Sequence, residues 1–150
     1  SKSGLDAFSD KGLATVLGEI DTLDTARVRR VVLCSGKVYY DLLATRRERG
    51  IDDIAILRVE QLYPFPRRRL AELLKPFDAA AEIVWCQEEP HNMGAWFFVA
   101  PLIEQVMKNI GASQDRLVYA GRKAAASPAT GFHAQHVREQ EKLVNDAYTL

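Results

Sequence analysis

One feature constrains this chain more than any other: short apolar runs alternate with stretches of helical periodicity, four times over. Val31-Val32-Leu33-Cys34 is a continuous apolar run ended by Ser35-Gly36, the pattern of a strand buried on both faces. The i,i+4 pairs Val38/Leu42 and Tyr39/Leu43 then predict a helix, and Arg46, Arg47, Arg49 and Gly50 supply its stop signals. Ile54-Ala55-Ile56-Leu57 with Val59 predicts a second strand, punctuated by Tyr63-Pro64-Phe65-Pro66. Leu70, Leu73 and Leu74 predict a short helix stopped by Pro76. Ile83-Val84-Trp85-Cys86 predicts the third strand, and from Gly94 a third helix follows, which Pro101 must kink or begin. Leu117-Val118-Tyr119, closed by Gly121, predicts the fourth strand. Beyond a small-residue segment at 124–131, Ala134, Val137, Val144 and Tyr148, with Leu143 and Ala147 beside them, predict a final amphipathic helix.

Strands joined to strands through helices imply a three-layer α/β domain: a mostly parallel sheet with helices on both faces. This domain is expected over residues 28–150. Residues 1–27 lack periodicity and are expected to form a connecting arm with one short helical turn. A chain of 150 residues fits one domain, and at that size it can bury about two-thirds of its unfolded surface.

Composition excludes several classes of function. Lys and Arg number 20, as do Asp and Glu, so no net field draws the chain to nucleic acid or an anionic membrane. No apolar run approaches the roughly 18 residues of a membrane span, and no secretory signal opens the sequence. The chain begins at Ser1, not Met, and is expected to have been cut from something longer. Its two cysteines, Cys34 and Cys86, lie in strand-like runs without a Cys-x-x-Cys spacing. They are expected to be buried free thiols in a reducing compartment, the bacterial cytoplasm or the mitochondrial matrix.

In an open α/β sheet, ligands bind beyond the carboxyl ends of the strands. Ser35-Gly36-Lys37 lies there but is not a phosphate loop, because the earlier glycine is replaced by Val31. No dinucleotide fingerprint and no nucleophile elbow occurs. Glu88 and Glu89 are adjacent, so in an extended chain they point to opposite sides; one is expected to be paired and the other solvated. His133 and His136 stand i,i+3 near Glu139 without a third ligand at helical spacing, a poor metal site. Arg67-Arg68-Arg69 is the local oddity. It follows Pro66, so it should occupy the first turn of a helix, where the dipole disfavours cations. A solvated charge run and an anion-binding site are both open there. Finally, Trp96, Phe97, Phe98 and Val99 make an apolar stretch wider than one helical stripe. Either part of it faces a neighbouring domain or subunit, or all four fill this domain's own core.

Seven motifs occur in the order and spacing of a known family. They are Cys34-Ser35-Gly36-Lys37-Val38-Tyr39-Tyr40, Arg58-Val59-Glu60-Gln61-Leu62-Tyr63-Pro64-Phe65-Pro66, Trp85-Cys86-Gln87-Glu88-Glu89-Pro90, Asn92-Met93-Gly94-Ala95-Trp96, Tyr119-Ala120-Gly121-Arg122, Ser127-Pro128-Ala129-Thr130-Gly131 and the closing helix. Over residues 28–148 the chain resembles the C-terminal domain of 2-oxoglutarate dehydrogenase E1 components. The resemblance implies a transketolase C-terminal-like α/β fold. It also implies a homodimeric enzyme of the tricarboxylic acid cycle that uses thiamine diphosphate and magnesium. Such an enzyme decarboxylates 2-oxoglutarate and passes the succinyl unit to the lipoyl group of the dihydrolipoyl succinyltransferase, E2. The family's Gly-Asp-Gly cofactor motif and catalytic Glu belong to preceding domains. No Gly-Asp-Gly occurs in these 150 residues, so the segment is expected to be inactive alone and no catalytic or cofactor-binding residue is assigned in it.

Many members carry Gln where this chain has Met93, and 2-oxoadipate-type enzymes often carry Met. The equivalent domain of a 2-oxoadipate dehydrogenase E1 is therefore an alternative, as is a stand-alone regulatory or partner-docking module of the same fold. One regulated branch binds acetyl-CoA in this domain through a Gln and two Arg that match Gln61, Arg68 and Arg69. A Lys and a Ser of that branch align with Gly12 and Thr15. The resemblance thus implies an allosteric acetyl-CoA or AMP site at Thr15, Gln61, Arg68 and Arg69.

Overall fold

A computed structural model describes residues 15–125 and 133–149. Gly12 and the Ser127–Gly131 motif lie outside the described residues, as does most of the small-residue segment. The sheet has five strands in the order β1-β3-β2-β4-β5. They are β1 (Val16–Leu17), β2 (Arg30–Cys34), β3 (Ile54–Val59), β4 (Glu82–Pro90) and β5 (Val118–Arg122). All neighbouring pairs are parallel except β1 with β3. The helices among the described residues are α1 (Val38–Arg49), α2 (Arg67–Leu74), α3 (Trp96–Asn109) and α4 (His133–Thr149), with a single 3-10 turn at Thr25–Arg27.

The period of two along each strand sorts the apolar side chains into two cores. Val31 and Leu33 of β2, Ala55, Leu57 and Val59 of β3, and Ile83 and Trp85 of β4 face α2 and α3. Val32 and Cys34, Ile54 and Ile56, and Val84 and Cys86 face α1 and α4. Both faces of the sheet are therefore covered, which is why its strands read as unbroken apolar runs. Cys34 and Cys86 are free, buried and opposite each other in register. Burial pushes the Cys86 thiol up to about 12 and raises Cys34 as well, so neither forms a thiolate readily.

Helix α1 buries the predicted Val38, Tyr39, Leu42 and Leu43 and ends at Gly50, whose φ of 63° suits glycine. Arg46 is the last-turn cation the sequence predicts, but it also does more. It is buried, ion-paired to Glu19, and 2.8 Å from Asp21. Glu19 also accepts the backbone N–H of Ile56 at 2.8 Å. This ion cluster pins the segment before β2 against α1 and β3, and it places Val16 and Leu17 of the expected arm on the sheet edge.

Other departures have equally local reasons. Helix α3 begins at Trp96, close to the predicted start after Gly94, and of the two readings of Pro101 the structure keeps the one that places it inside the helix, where it leaves the Phe97 carbonyl without its i+4 donor. Strand β4 outruns its apolar core and continues to Pro90 across a register shift between Gln87 and Pro90. Strand β5 contains Gly121 and does not end before it. A Cβ there would stand 2.4 Å from the Tyr119 hydroxyl and 2.8 Å from the Gln87 carbonyl, so only glycine fits. In α4 the buried residues are Leu143, Val144, Ala147 and Tyr148, whereas Ala134 and Val137 are exposed. Only the C-terminal half of that helix packs on the sheet. Among the described residues no helix is long and apolar enough to cross a membrane.

Candidate functional site at the carboxyl rim

Strand β2 lies between β3 and β4, so the chain leaves it first to one side and later to the other. This reversal opens a crevice beyond the carboxyl ends of β2 and β4. A cavity of about 370 Å³ occupies it, lined by Ser35, Gly36, Leu62, Trp85, Gln87 and Phe98 among others. Its floor is organised by Gln87, which is 2% exposed. The Gln87 amide oxygen accepts from the Trp85 indole at 2.9 Å and from the Trp96 backbone at 3.0 Å. Its amide nitrogen donates to the carbonyls of Pro90 at 3.0 Å and Met93 at 2.8 Å, and also to that of Glu89. One buried side chain thus holds the entire turn between β4 and α3. Sequence reasoning saw Gln87 only as part of a motif.

The adjacent carboxylates divide as expected. Glu88 is half-buried, paired with Lys37 at 3.0 Å and accepting from Gln140 at 3.1 Å, while Glu89 is exposed. Arg122 ties α4 to the same rim through Glu139 at 2.8 Å and Gln140 at 2.6 Å. The Arg122 guanidinium, helped by Gln135, holds the Glu139 carboxyl below its usual range. His133 and His136 stand exposed on α4. Among the described residues no group of three or more His, Cys, Asp and Glu could hold a metal ion.

The second part of the rim is the connection from β3 to α2. The Thr15 carbonyl accepts the backbone N–H groups of Glu60 at 3.0 Å and Gln61 at 3.1 Å, so the antiparallel β1 brings Thr15 directly beside Gln61. The Gln61 amide nitrogen donates to the Pro64 carbonyl at 2.9 Å and bridges its own turn. Arg67, Arg68 and Arg69 form the exposed first turn of α2, as the Pro66 spacing predicts. That turn contains no acidic residue and has no side-chain cap. Arg69 approaches Glu72 at 3.5 Å, both about half exposed, a contact of little energetic weight. Among the described residues the side chains of Arg67 and Arg68 make no hydrogen bond or ion pair, and none joins Gln61 to Arg68 or Arg69. Glu60 pairs with Arg58 at 2.9 Å.

Two groupings on this rim are assembled from several motifs and are not singled out by the sequence. Arg58 sits 5.2 Å from the ring centres of both Tyr39 and Tyr40 and donates to the Tyr40 hydroxyl at 3.2 Å. His91 is boxed by Tyr119 at 4.6 Å, Phe97 at 5.0 Å and Trp96 at 5.6 Å between ring centres. Burial pushes the Tyr119 hydroxyl up to about 12, so it stays protonated and donates to the Arg122 carbonyl at 2.6 Å. Of the apolar stretch opening α3, Val99 is buried and Trp96 half-buried, but Phe97 and Phe98 are exposed. The alternative in which all four fill this domain's core is excluded.

Residues 2–148 match the family described as 2-oxoglutarate dehydrogenase C-terminal. The chain is 46% identical over 155 aligned positions to the 2-oxoglutarate dehydrogenase E1 component of Azotobacter vinelandii, covering 99% of this chain and 16% of that protein. It is 57% identical over 122 positions to the proteins of the same name from Brucella anthropi and Brucella ovis, covering 81% of this chain and 12% of each. The chain thus spans less than one-fifth of the length of these relatives.

Proposed function

The chain belongs to the 2-oxoglutarate dehydrogenase C-terminal family, and from that premise we propose that it works as the terminal domain of a longer, thiamine diphosphate-dependent E1 chain. The parent enzyme decarboxylates 2-oxoglutarate and hands the succinyl unit to the lipoyl group of the succinyltransferase E2. Thiamine diphosphate and magnesium bind in the preceding domains and supply the carbanion chemistry. This domain contributes to assembly of the homodimer and to regulation. The observation that carries the reading is the match over nearly the whole chain to relatives named as this enzyme component. The test is turnover by the full-length chain and by the 150-residue piece, each supplied with thiamine diphosphate and magnesium. Decarboxylation of 2-oxoglutarate by the full chain and none by the piece is expected. A natural protein with no thiamine-binding domains would overturn the reading in favour of a stand-alone module.

Met93 favours a second substrate for comparison, because 2-oxoadipate-type members often carry Met at this position. Its backbone carbonyl is one of those Gln87 holds, which ties the position to the crevice. The ratio of kcat/KM for 2-oxoglutarate to that for 2-oxoadipate in the full enzyme decides between them, and a ratio above one is expected.

The regulatory role is assigned to Gln61, Arg68 and Arg69, with Thr15 beside them, as a site for an anionic ligand of the acetyl-CoA or AMP class. Three cations in a helix first turn repel the dipole unless an anion sits among them. Guanidinium forks hold phosphates in two-pronged fashion. Support comes from the lack of any carboxylate in that turn and from the engagement of Glu60 elsewhere. Each charge-assisted bond contributes about 1.5–3 kcal/mol. Arg68→Ala with Arg69→Ala should therefore weaken acetyl-CoA binding to the full enzyme at least tenfold, by calorimetric titration. Equal binding by both proteins, or by neither, would leave the arginines a solvated charge run.

A further inference from the structure

Among the described residues, three exposed aromatic side chains lie beside the crevice. Tyr63 is 83% exposed, Phe97 64% and Phe98 42%. The Tyr63 and Phe98 rings stand 6.2 Å apart although they come from different connections, and Phe97 continues the patch onto His91. The other large exposed apolar side chains, Ile20, Tyr40 and Val137, are scattered singly, which needs no explanation. The exposed face of α3 grades from Phe97, Phe98 and Pro101 near the rim to Gln105 and Lys108 farther along. Whatever covers the patch therefore comes over the rim and not over the whole helix.

We propose that Tyr63, Phe97 and Phe98 form the seat for an earlier domain of the same polypeptide, whose packing there closes the crevice between β2 and β4. The inference rests on the reading of this chain as the terminal part of a longer E1. The aligned part makes up 16% of one relative and 12% of others, so most of such a chain lies outside this domain and has to pack on it somewhere. The chemistry of the patch suits a permanent contact. Large aromatic side chains dominate it, and the charged groups next to the crevice, Lys37, Glu88 and Arg122, are paired within the domain, whereas the arginines of α2 lie to its side. Phe98 also lines the cavity, so a surface laid over it shuts the opening from water.

Hydroxyl-radical footprinting of the full-length chain, read by mass spectrometry, tests the proposal, with free tyrosine amide in the same solution as the reference. In the full chain alone, Tyr63 should be oxidised at least fivefold more slowly than the reference, and Phe97 and Phe98 should be protected with it. Phe98→Ser should restore oxidation of Tyr63 without changing the buried Trp85. Oxidation of Tyr63 at the reference rate overturns the proposal. Protection that appears only when the succinyltransferase is added, or that disappears on dilution to monomer, overturns it in favour of E2 or of a second copy. An intact natural mass equal to these 150 residues alone also overturns it. Turnover of 2-oxoglutarate is measured on the same sample. Protection without turnover sinks the proposed reaction and leaves the docking surface standing.

Discussion

The two faces of the sheet are finished to different degrees. On the α1 and α4 side, the core is sealed at its margins by specific polar contacts. Arg46, Glu19 and Asp21 close one end, and the Tyr148 hydroxyl donates to the Leu42 carbonyl where α4 crosses α1. On the α2 and α3 side, the core is larger but ragged. Half-buried Leu62, Phe65, Leu73, Trp96 and Tyr119 border it, exposed aromatics stand beyond them, and the arginines of α2 project without acidic partners in their turn. Under the proposed docking, the α1 and α4 face is completed within the domain, while the exposed aromatics beside α2 and α3 are left for an earlier domain to cover.

The sharpest way to break this comparison is to unlock the sealed side. Arg46 is buried with two carboxylates around it, and Glu19 is itself largely buried. Removing one partner of a buried ion pair leaves an uncompensated charge, at a cost of about 3–5 kcal/mol. Arg46→Ala should therefore lower the stability of the chain by that amount in urea unfolding, whereas Arg68→Ala should stay within about 0.5 kcal/mol. Comparable losses from the two substitutions would mean that the faces are not different in kind. The comparison also presumes that the 150-residue chain melts cooperatively by itself, which calorimetry reads directly.

The ragged side has sealed points too, Gln114 on the Ile83 backbone, Glu104 on the Leu117 N–H and Gln87 at the crevice, and testing the last sharpens the contrast. Gln87→Leu would strand the Trp85 indole, which is 1% exposed, together with the backbone groups that Gln87 now satisfies. Each unsatisfied buried group costs about 1–3 kcal/mol. A total loss of about 3 kcal/mol is expected, with quenched protection of Trp96 in amide hydrogen exchange. A loss below about 1 kcal/mol would show that solvent already reaches the crevice floor.

These contrasts explain what the sequence could and could not reveal. The four strands were legible because burial on both faces demands unbroken apolar runs, and the helices because α1 and α2 repeat at i,i+4. Strand β1 was not legible: two residues carry no period, and their place is set by Glu19 meeting Arg46 and the Ile56 N–H across 37 positions of sequence. Arg46 itself read as a last-turn cation because burial is a tertiary fact. Ala134 and Val137 read as core because composition cannot say where a helix runs off the sheet. At the rim, Arg67-Arg68-Arg69 was conspicuous because it breaks a local electrostatic rule. Gln87 and the His91 box obey no local rule at all, since their partners come from β4, α3 and β5 together.

A milder effect is expected from acid. The Asp21 carboxyl is held at about 2, below its reference of 3.8, chiefly by its hydrogen bonds to Arg47 and then Arg46. A depressed carboxyl contributes stability that is complete above the unfolded value and is lost as pH falls through the folded one. The melting temperature should therefore decline between pH 4 and about pH 2 through this group. Asp21→Asn should flatten that part of the profile, and an unchanged slope would remove Asp21 from the seal.

The smallest effect is the most diagnostic, because it should be nearly zero in one setting and large in another. Phe97 projects from the first turn of α3 and is 64% exposed. In the 150-residue chain, Phe97→Ser removes little buried area and should change the unfolding free energy by less than about 0.5 kcal/mol. If the face is covered in the longer enzyme, the same substitution deletes an aromatic side chain from an interior, where such truncations cost about 3–5 kcal/mol. The full chain should then lose thermal stability or assembly while the isolated domain does not. Equal and negligible effects in both would mean that the aromatic face is merely surface. Equal and large effects would mean that Phe97 already packs within the domain. Only the split outcome agrees with one finished face and one that other domains complete.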